Sequence, residues 1–131
     1  MSLKQLTVFM ENQSARLMKV AEILKERDIN LLGFSTTEAK DYGVLRLVVS
    51  DIQAAGKALK DEGFIIHLVD VICAEIEDRP GELYKILNLM AREGISIDYI
   101  YVIAGTRIVM NVADINVAEA VLRKNNIKLC S

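Results

Sequence analysis

The sequence predicts an α+β protein that carries one β-α-β-β-α-β unit twice. Three observations lead there: an internal repeat running through the chain, apolar spacing that alternates between strand and helix periods, and a length of 131 residues, enough for two very small domains. Setting Glu11 on Glu77, an offset of 66, brings Leu17 onto Leu83, Lys19 onto Lys85 and Ile29 onto Ile95. Val20, Ala21 and Leu24 then fall on Ile86, Leu87 and Met90. After a short deletion the register resumes at 63, with Asp51-Ile52 on Asp114-Ile115, Ala55 on Ala118 and Leu59 on Leu122. The seam lies near Asp70, giving units 3–70 and 71–131.

Each unit opens on a strand whose apolar residues alternate, Leu6, Val8, Met10 and again Ile72, Ala74, Ile76. A helix follows, with apolar residues at 17, 20, 21, 24 and at 83, 86, 87, 90, spaced to make one buried stripe. Gly94 is placed to cap the second of these helices. Two strands come next, 29–38 to 43–50 across Lys40-Asp41-Tyr42-Gly43, and 95–103 to 107–112 across Ala104-Gly105-Thr106. A second helix uses Ile52, Ala55, Leu59 and Ile115, Ala118, Leu122. A fourth strand closes each unit, Phe64 to Val69 and Ile127 to Cys130. This order is the split βαβ, or ferredoxin-like, arrangement: an antiparallel four-stranded sheet with both helices on one face. The other face mixes Thr7, Phe9, Val44, Arg46 and Val48 in one copy with Cys73, Glu75, Val109 and Asn111 in the other. A lone unit of about 65 residues buries only about 60% of its surface, so the copies are expected to pair with each other and with a second chain. Strand edges and sheet faces are the expected contacts, extending the sheets into a larger continuous one.

Composition removes several function classes. Sixteen Lys and Arg against eighteen Asp and Glu leave a net charge of −2, without the basic stripe of a nucleic-acid binder. No apolar run approaches the ~20 residues of a membrane span and no leader opens the chain, so a cytoplasmic protein is expected. One histidine, His67, and two distant cysteines, Cys73 and Cys130, supply no metal-ligand cluster. The two thiols are expected to be reduced and partly buried, although they fall on the first and fourth strands of the second copy, which adjoin in this topology. His67, within Phe64-Ile65-Ile66-His67-Leu68-Val69, is expected to be a strand residue with one hydrogen-bond partner rather than a catalyst. Tyr84, Tyr99 and Tyr101 are candidates for an interface.

The segment from first strand to first helix in the second copy reads Glu77-Asp78-Arg79-Pro80-Gly81-Glu82-Leu83. Pro80 suits a first helical turn, and Gly81, lacking a Cβ, lets backbone amides be approached closely. Unpartnered N–H groups and the helix dipole make such a spot attractive to a carboxylate. Asp78 is placed either to cap the helix or to accept an ammonium group. These parts suit a zwitterion, and they equally suit a plain helix start with no ligand.

The pattern Asp78-Arg79-Pro80-Gly81-Glu82-Leu83, a helix with Ile86 and Met90, then Gly94-Ile95-Ser96-Ile97, resembles the ACT domain family of amino-acid-binding regulatory modules. Glu11-Asn12-Gln13-Ser14-Ala15-Arg16-Leu17 followed by Asp28-Ile29-Asn30-Leu31 resembles it again, as does Asp41-Tyr42-Gly43-Val44-Leu45-Arg46-Leu47-Val48-Val49. The whole chain is similar to stand-alone tandem members without a catalytic domain. The resemblance implies effectors bound between modules, by the loop before the first helix of one and the start of the second strand of its neighbour. Carried onto this chain, the loop residues are Asp78, Pro80, Gly81 and Leu83 with Asn12, Gln13, Ser14 and Leu17. The strand residues are Asn30 and Leu31 with Ser96 and Ile97. Two departures stand out: Ser14-Ala15 where the family usually has Pro-Gly, and Ser96 where Asn is common. The expected function is a non-catalytic sensor with a free amino acid as ligand, no cofactor, a homodimeric state and a regulated enzyme in trans. An enzyme on the same fold lacks a second histidine, a cysteine–base pair or a carboxylate cluster. An RNA-binding module lacks aromatic residues on the third strands. A purely structural pair that no longer binds a ligand is the remaining alternative.

Overall fold

The computed structural model describes residues 3–11, 14–38 and 42–130, the side chains at 14 and 38 excepted. The chain divides into two compact units, Lys4–Val69 and a second built on Asp70–Ser131. The first contains β1 (Leu3–Glu11), α1 (Ser14–Glu26), β2 (Leu31–Glu38), β3 (Tyr42–Val49), α2 (Ile52–Asp61) and the opening residues of β4 (Ile65–Glu75). The second contains the rest of β4, α3 (Glu82–Arg92), β5 (Ile97–Ile103), β6 (Arg107–Val112), α4 (Ile115–Lys124) and β7 (Leu129–Cys130). The strands expected over 64–69 and 72–76 are therefore one strand, and the seam falls in its middle. The turn expected at 40–43 lies mostly outside the described residues. Strands expected to begin at 29 and 95 begin at Leu31 and Ile97.

Strand order is β2-β3-β1-β4 in the first unit and β5-β6-β4-β7 in the second, the same ferredoxin-like order in both. The β1–β3 and β4–β6 pairs are antiparallel, with Leu6 opposite Leu47 and Val8 opposite Leu45, and with Ile72 opposite Met110 and Ala74 opposite Ile108. Period-2 alternation turns these residues to one face, where Val20, Ile23, Leu24, Ala55 and Leu59 complete the first core. Ile86, Met90, Ala118 and Leu122 complete the second. The helical stripe is narrower than its spacing predicts. Leu17 and Ala21 are exposed, as are Leu83 and Leu87. The opposite sheet face is drier than its mixed composition predicts, since Thr7, Val48, Cys73 and Val109 are all buried.

The helix ends repeat as faithfully as the core. Asp51 and Asp114 each accept a hydrogen bond from the amide three residues on, Ala54 at 3.0 Å and Val117 at 3.1 Å, as N-caps do. Past α3, Gly94 at φ +69° donates to Ala91 O at 3.1 Å and Ile95 to Met90 O at 2.9 Å, which is the Schellman turn. Asp28 at φ +56°, Gly63 at +88° and Asn126 at +63° close the other three helices with equivalent pairs of bonds.

Candidate functional site

The loop before α3 starts as a strand end and finishes as a bare helix N-terminus. Helix α3 begins at Glu82, so Pro80 stands ahead of the N-cap rather than inside the first turn as expected. Gly81 is the N-cap, at φ +90° and ψ −8°, with no side chain capping the helix. Only glycine adopts that conformation without strain, and a Cβ built there meets nothing within 4 Å. The first full helical bond runs from Lys85 N–H to Gly81 O at 3.0 Å, with a long 3.4 Å bond from Glu82 N–H to Arg79 O. The amides of Leu83 and Tyr84 thus lack acceptors within the helix. Asp78 does not cap; it is exposed and makes no hydrogen bond or ion pair among the described residues. Arg79 is occupied, bridging Glu77 at 2.9 Å and Glu82 at 3.3 Å, while Lys85 lies 3.5 Å from Glu82.

Leu83 is exposed beside this loop, and Leu17 is its exposed counterpart in the first unit. Asn12 and Gln13 lie outside the described residues, as does the side chain of Ser14. On the strand side, Asn30 is exposed and its backbone is tied to Ser50, donating to Oγ at 2.9 Å and accepting from N–H at 2.9 Å. Leu31 and Ile97 each precede a β-bulge, between Leu31 and Gly33 and between Ile97 and Tyr99. A bulge re-aims side chains, and finding it at the same place in both copies marks these strand starts as a kept feature. Within one unit the loop and strand residues are not brought together. Gly81 and Ser96-Ile97 stand at opposite ends of α3, a helix of 11 residues and about 16 Å. Ser14 and Asn30-Leu31 are likewise separated by the 13 residues of α1, about 20 Å.

Cys73 and Cys130, expected as thiols, are joined in a disulfide with Cα atoms 5.0 Å apart. They are direct partners in the β4–β7 register, so topology places them face to face. His67 has an edge-on ring contact with Phe9 at 5.3 Å in place of the expected hydrogen bond. Tyr99 and Tyr101 stack on one face of β5, ring centres 6.4 Å apart, and Tyr84 is exposed. The Lys19 ammonium, a surface group outside the site, is raised above its ordinary pKa chiefly by its hydrogen bond to Glu22 at 3.1 Å. Among the described residues no group of three His, Cys, Asp or Glu is arranged to hold a metal, and no helix is long and apolar enough to cross a membrane. Arg16, which the sequence singled out for no role of its own, lies over the Phe64 ring at 4.2 Å with its Nε buried and unpartnered among the described residues. The repeat could have flagged it, because it sets Arg16 on Glu82 and so reverses a charge at a matched position.

Two ferredoxin-like units in one chain, each with a bulged terminal strand, make a duplicated fold. The chain belongs to the ACT domain pair family, which it matches over residues 1–130. Membership supports a regulatory, ligand-binding role. The chain is similar to protein BT0572 from Bacteroides thetaiotaomicron, with 36% identity and a TM-score of 0.93 over 99% of this chain and 92% of that one. Its fold is shared by the ligand-free regulatory subunit of aspartate kinase from Thermus thermophilus, at 20% identity and a TM-score of 0.70 over 95% and 91% of the two chains. The regulatory subunit from Thermus flavus matches at 20% identity and a TM-score of 0.65 over 93% and 89%. No curated relative matches the chain.

Proposed function

We propose that this chain is a non-catalytic sensor of a free amino acid, working as a homodimer and read by an enzyme in trans. The observation that carries the proposal is the Gly81 N-cap: two helix-start amides without acceptors, open space above the glycine, and an unpaired carboxylate at Asp78 three residues away. The amides and dipole suit the ligand carboxylate, and Asp78 suits its ammonium. Ser96-Ile97 or Asn30-Leu31 of a second copy would complete the site, since Ser96-Ile97 cannot reach the loop at the far end of their own helix. Strands β2 and β5 are the terminal strands of their units and expose Phe34 and Val102, 54% and 58% accessible, as edges awaiting a partner would. Leu17, Met18, Leu31 and Phe34 border an apolar groove of about 460 Å³ beside β2. Regulatory subunits of aspartate kinase share this fold, which favours an enzyme as the reader. We place the module in the cytoplasm, where the Cys73–Cys130 pair would be held as thiols.

Effector binding would act by linkage, favouring one packing of the modules that the partner recognises. Thermal melting with each of the twenty standard amino acids tests the reading. A ligand at ~100 times its dissociation constant adds ~2.7 kcal/mol of apparent stability. Replacing Gly81 by Val should abolish that ligand-dependent increment. A screen in which no amino acid raises the midpoint removes the proposal.

A further inference from the structure

The repeat sets two clefts at the same place in the two units, and their chemistry is opposite. In the first unit a cleft of about 450 Å³ opens between the end of β1 and the starts of α1, β3 and β4, walled by Phe9, Met10, Arg16, Tyr42 and Ile65. In the second, a cleft of about 300 Å³ is walled by the matching positions, among them Glu75, Glu82 and Lys128. Phe9 answers to Glu75 and Arg16 to Glu82 at the offset of 66, and Ile65 to Lys128 at 63.

The second cleft neutralises itself. Glu82 is met by Arg79 at 3.3 Å and Lys85 at 3.5 Å, and Glu75 by Lys128 at 3.4 Å. The first does not. Its one cation, Arg16, makes no ion pair among the described residues, although the Glu11 carboxylate belongs to the same cleft. The guanidinium is held by the face of Phe64, 4.2 Å from ring centre to Cζ, and its Nε has no acceptor while shut away from solvent. Only the Nε is sealed in this way, so a carboxylate in the cleft would meet the guanidinium at its terminal Nη groups, in a charge-assisted pair. The stack on Phe64 fixes the guanidinium beforehand, which lowers the ordering cost of binding. Phe9, Met10 and Ile65 give the wall an apolar side, with Glu11 and Tyr42 as its other polar members.

We propose that this cleft of the first unit is a binding site separate from the Gly81 loop, and that it takes a small monocarboxylate with an apolar body. The carboxylate pairs with Arg16 and the hydrocarbon lies on Phe9, Met10 and Ile65. The matching cleft of the second unit takes no such anion, because its carboxylates already hold its cations. The proposal does not rest on amino-acid sensing at Gly81.

The test is an NMR titration of the isotope-labelled full chain with phenylacetate and with isocaproate, using phenylacetamide and inorganic phosphate as comparators. The Arg16 Nε–H signal and the amides of Met10 and Ile65 should shift saturably with both acids and with neither comparator, while the amides of Lys85 and Lys128 stay in place. Arg16→Gln should weaken binding by about tenfold or more, Arg16→Lys by less, and Gly81→Val should leave it unchanged. No saturation at Arg16, equal binding of phenylacetamide or phosphate, or full affinity in a folded Arg16→Gln chain would each overturn the proposal. Should Arg16→Gln fail to fold, the Nε–H titration of the unaltered protein decides alone.

Discussion

Gly81 holds φ at +90° with free space where a side chain would stand, so its importance is conformational first. A valine there is strained by roughly 1–3 kcal/mol whatever its surroundings. Asp78 offers a cleaner probe. Exposed and unpaired among the described residues, it should be replaceable by Ala with a stability change within about 0.5 kcal/mol in urea unfolding. Under the sensor reading, Asp78→Ala still loses the ammonium partner, so the ligand-induced melting shift should shrink while the unliganded midpoint stays put. Asp28 is the opposite kind of residue. It carries φ +56° at the position that Gly94 fills in the second copy. Asp28→Gly should raise stability by about 0.5 kcal/mol, read as a higher urea midpoint at constant slope.

At the level of elements, the four helices were legible because capping and apolar spacing agree locally. Asp51 and Asp114, set on each other by the repeat, are N-caps in the structure, and Asp51→Ala or Asp114→Ala should each cost about 1 kcal/mol. What spacing could not supply was the partner a helical residue meets. Leu17, Ala21, Leu83 and Leu87 fit a buried stripe yet stay exposed, since periodicity reports a residue's direction and not what it meets. The bulges after Leu31 and Ile97 were equally hidden, because they arise from pairing with β3 and β6. The two residues of β7 would be a weak strand by hydrogen bonding alone, and the bridge from Cys130 to Cys73 ties them to β4. Closing a loop of 57 residues is worth about 4 kcal/mol in the chain-entropy account. Reduction should therefore lower the melting point and speed amide exchange in the second unit first. An identical melt with and without reductant would mean the bridge contributes nothing.

For the whole molecule, the duplication was the strongest signal in the sequence, and it carried the topology of both units. It carried less of the site. Gly81 and Asp78 stood out as candidates from type and spacing, whereas Arg16 did not, because a lone arginine on a helix is ordinary until Phe64 and an unpaired Nε are seen beside it. The homodimer is a whole-molecule expectation with its own check. Sedimentation should give twice the chain mass, and a charged residue at Phe34 on the open edge should shift the protein toward monomer. The turns that end the helices extend this comparison of copies. One backbone bend is carried by glycine at 63 and 94 and by Asp28 and Asn126 at the paired positions. A chain written twice thus keeps a natural mutagenesis experiment inside itself, in which geometry outlasted the residue that best tolerates it. Scanning such proteins for glycine alone would overlook half of these corners, whereas aligning the halves recovers all four.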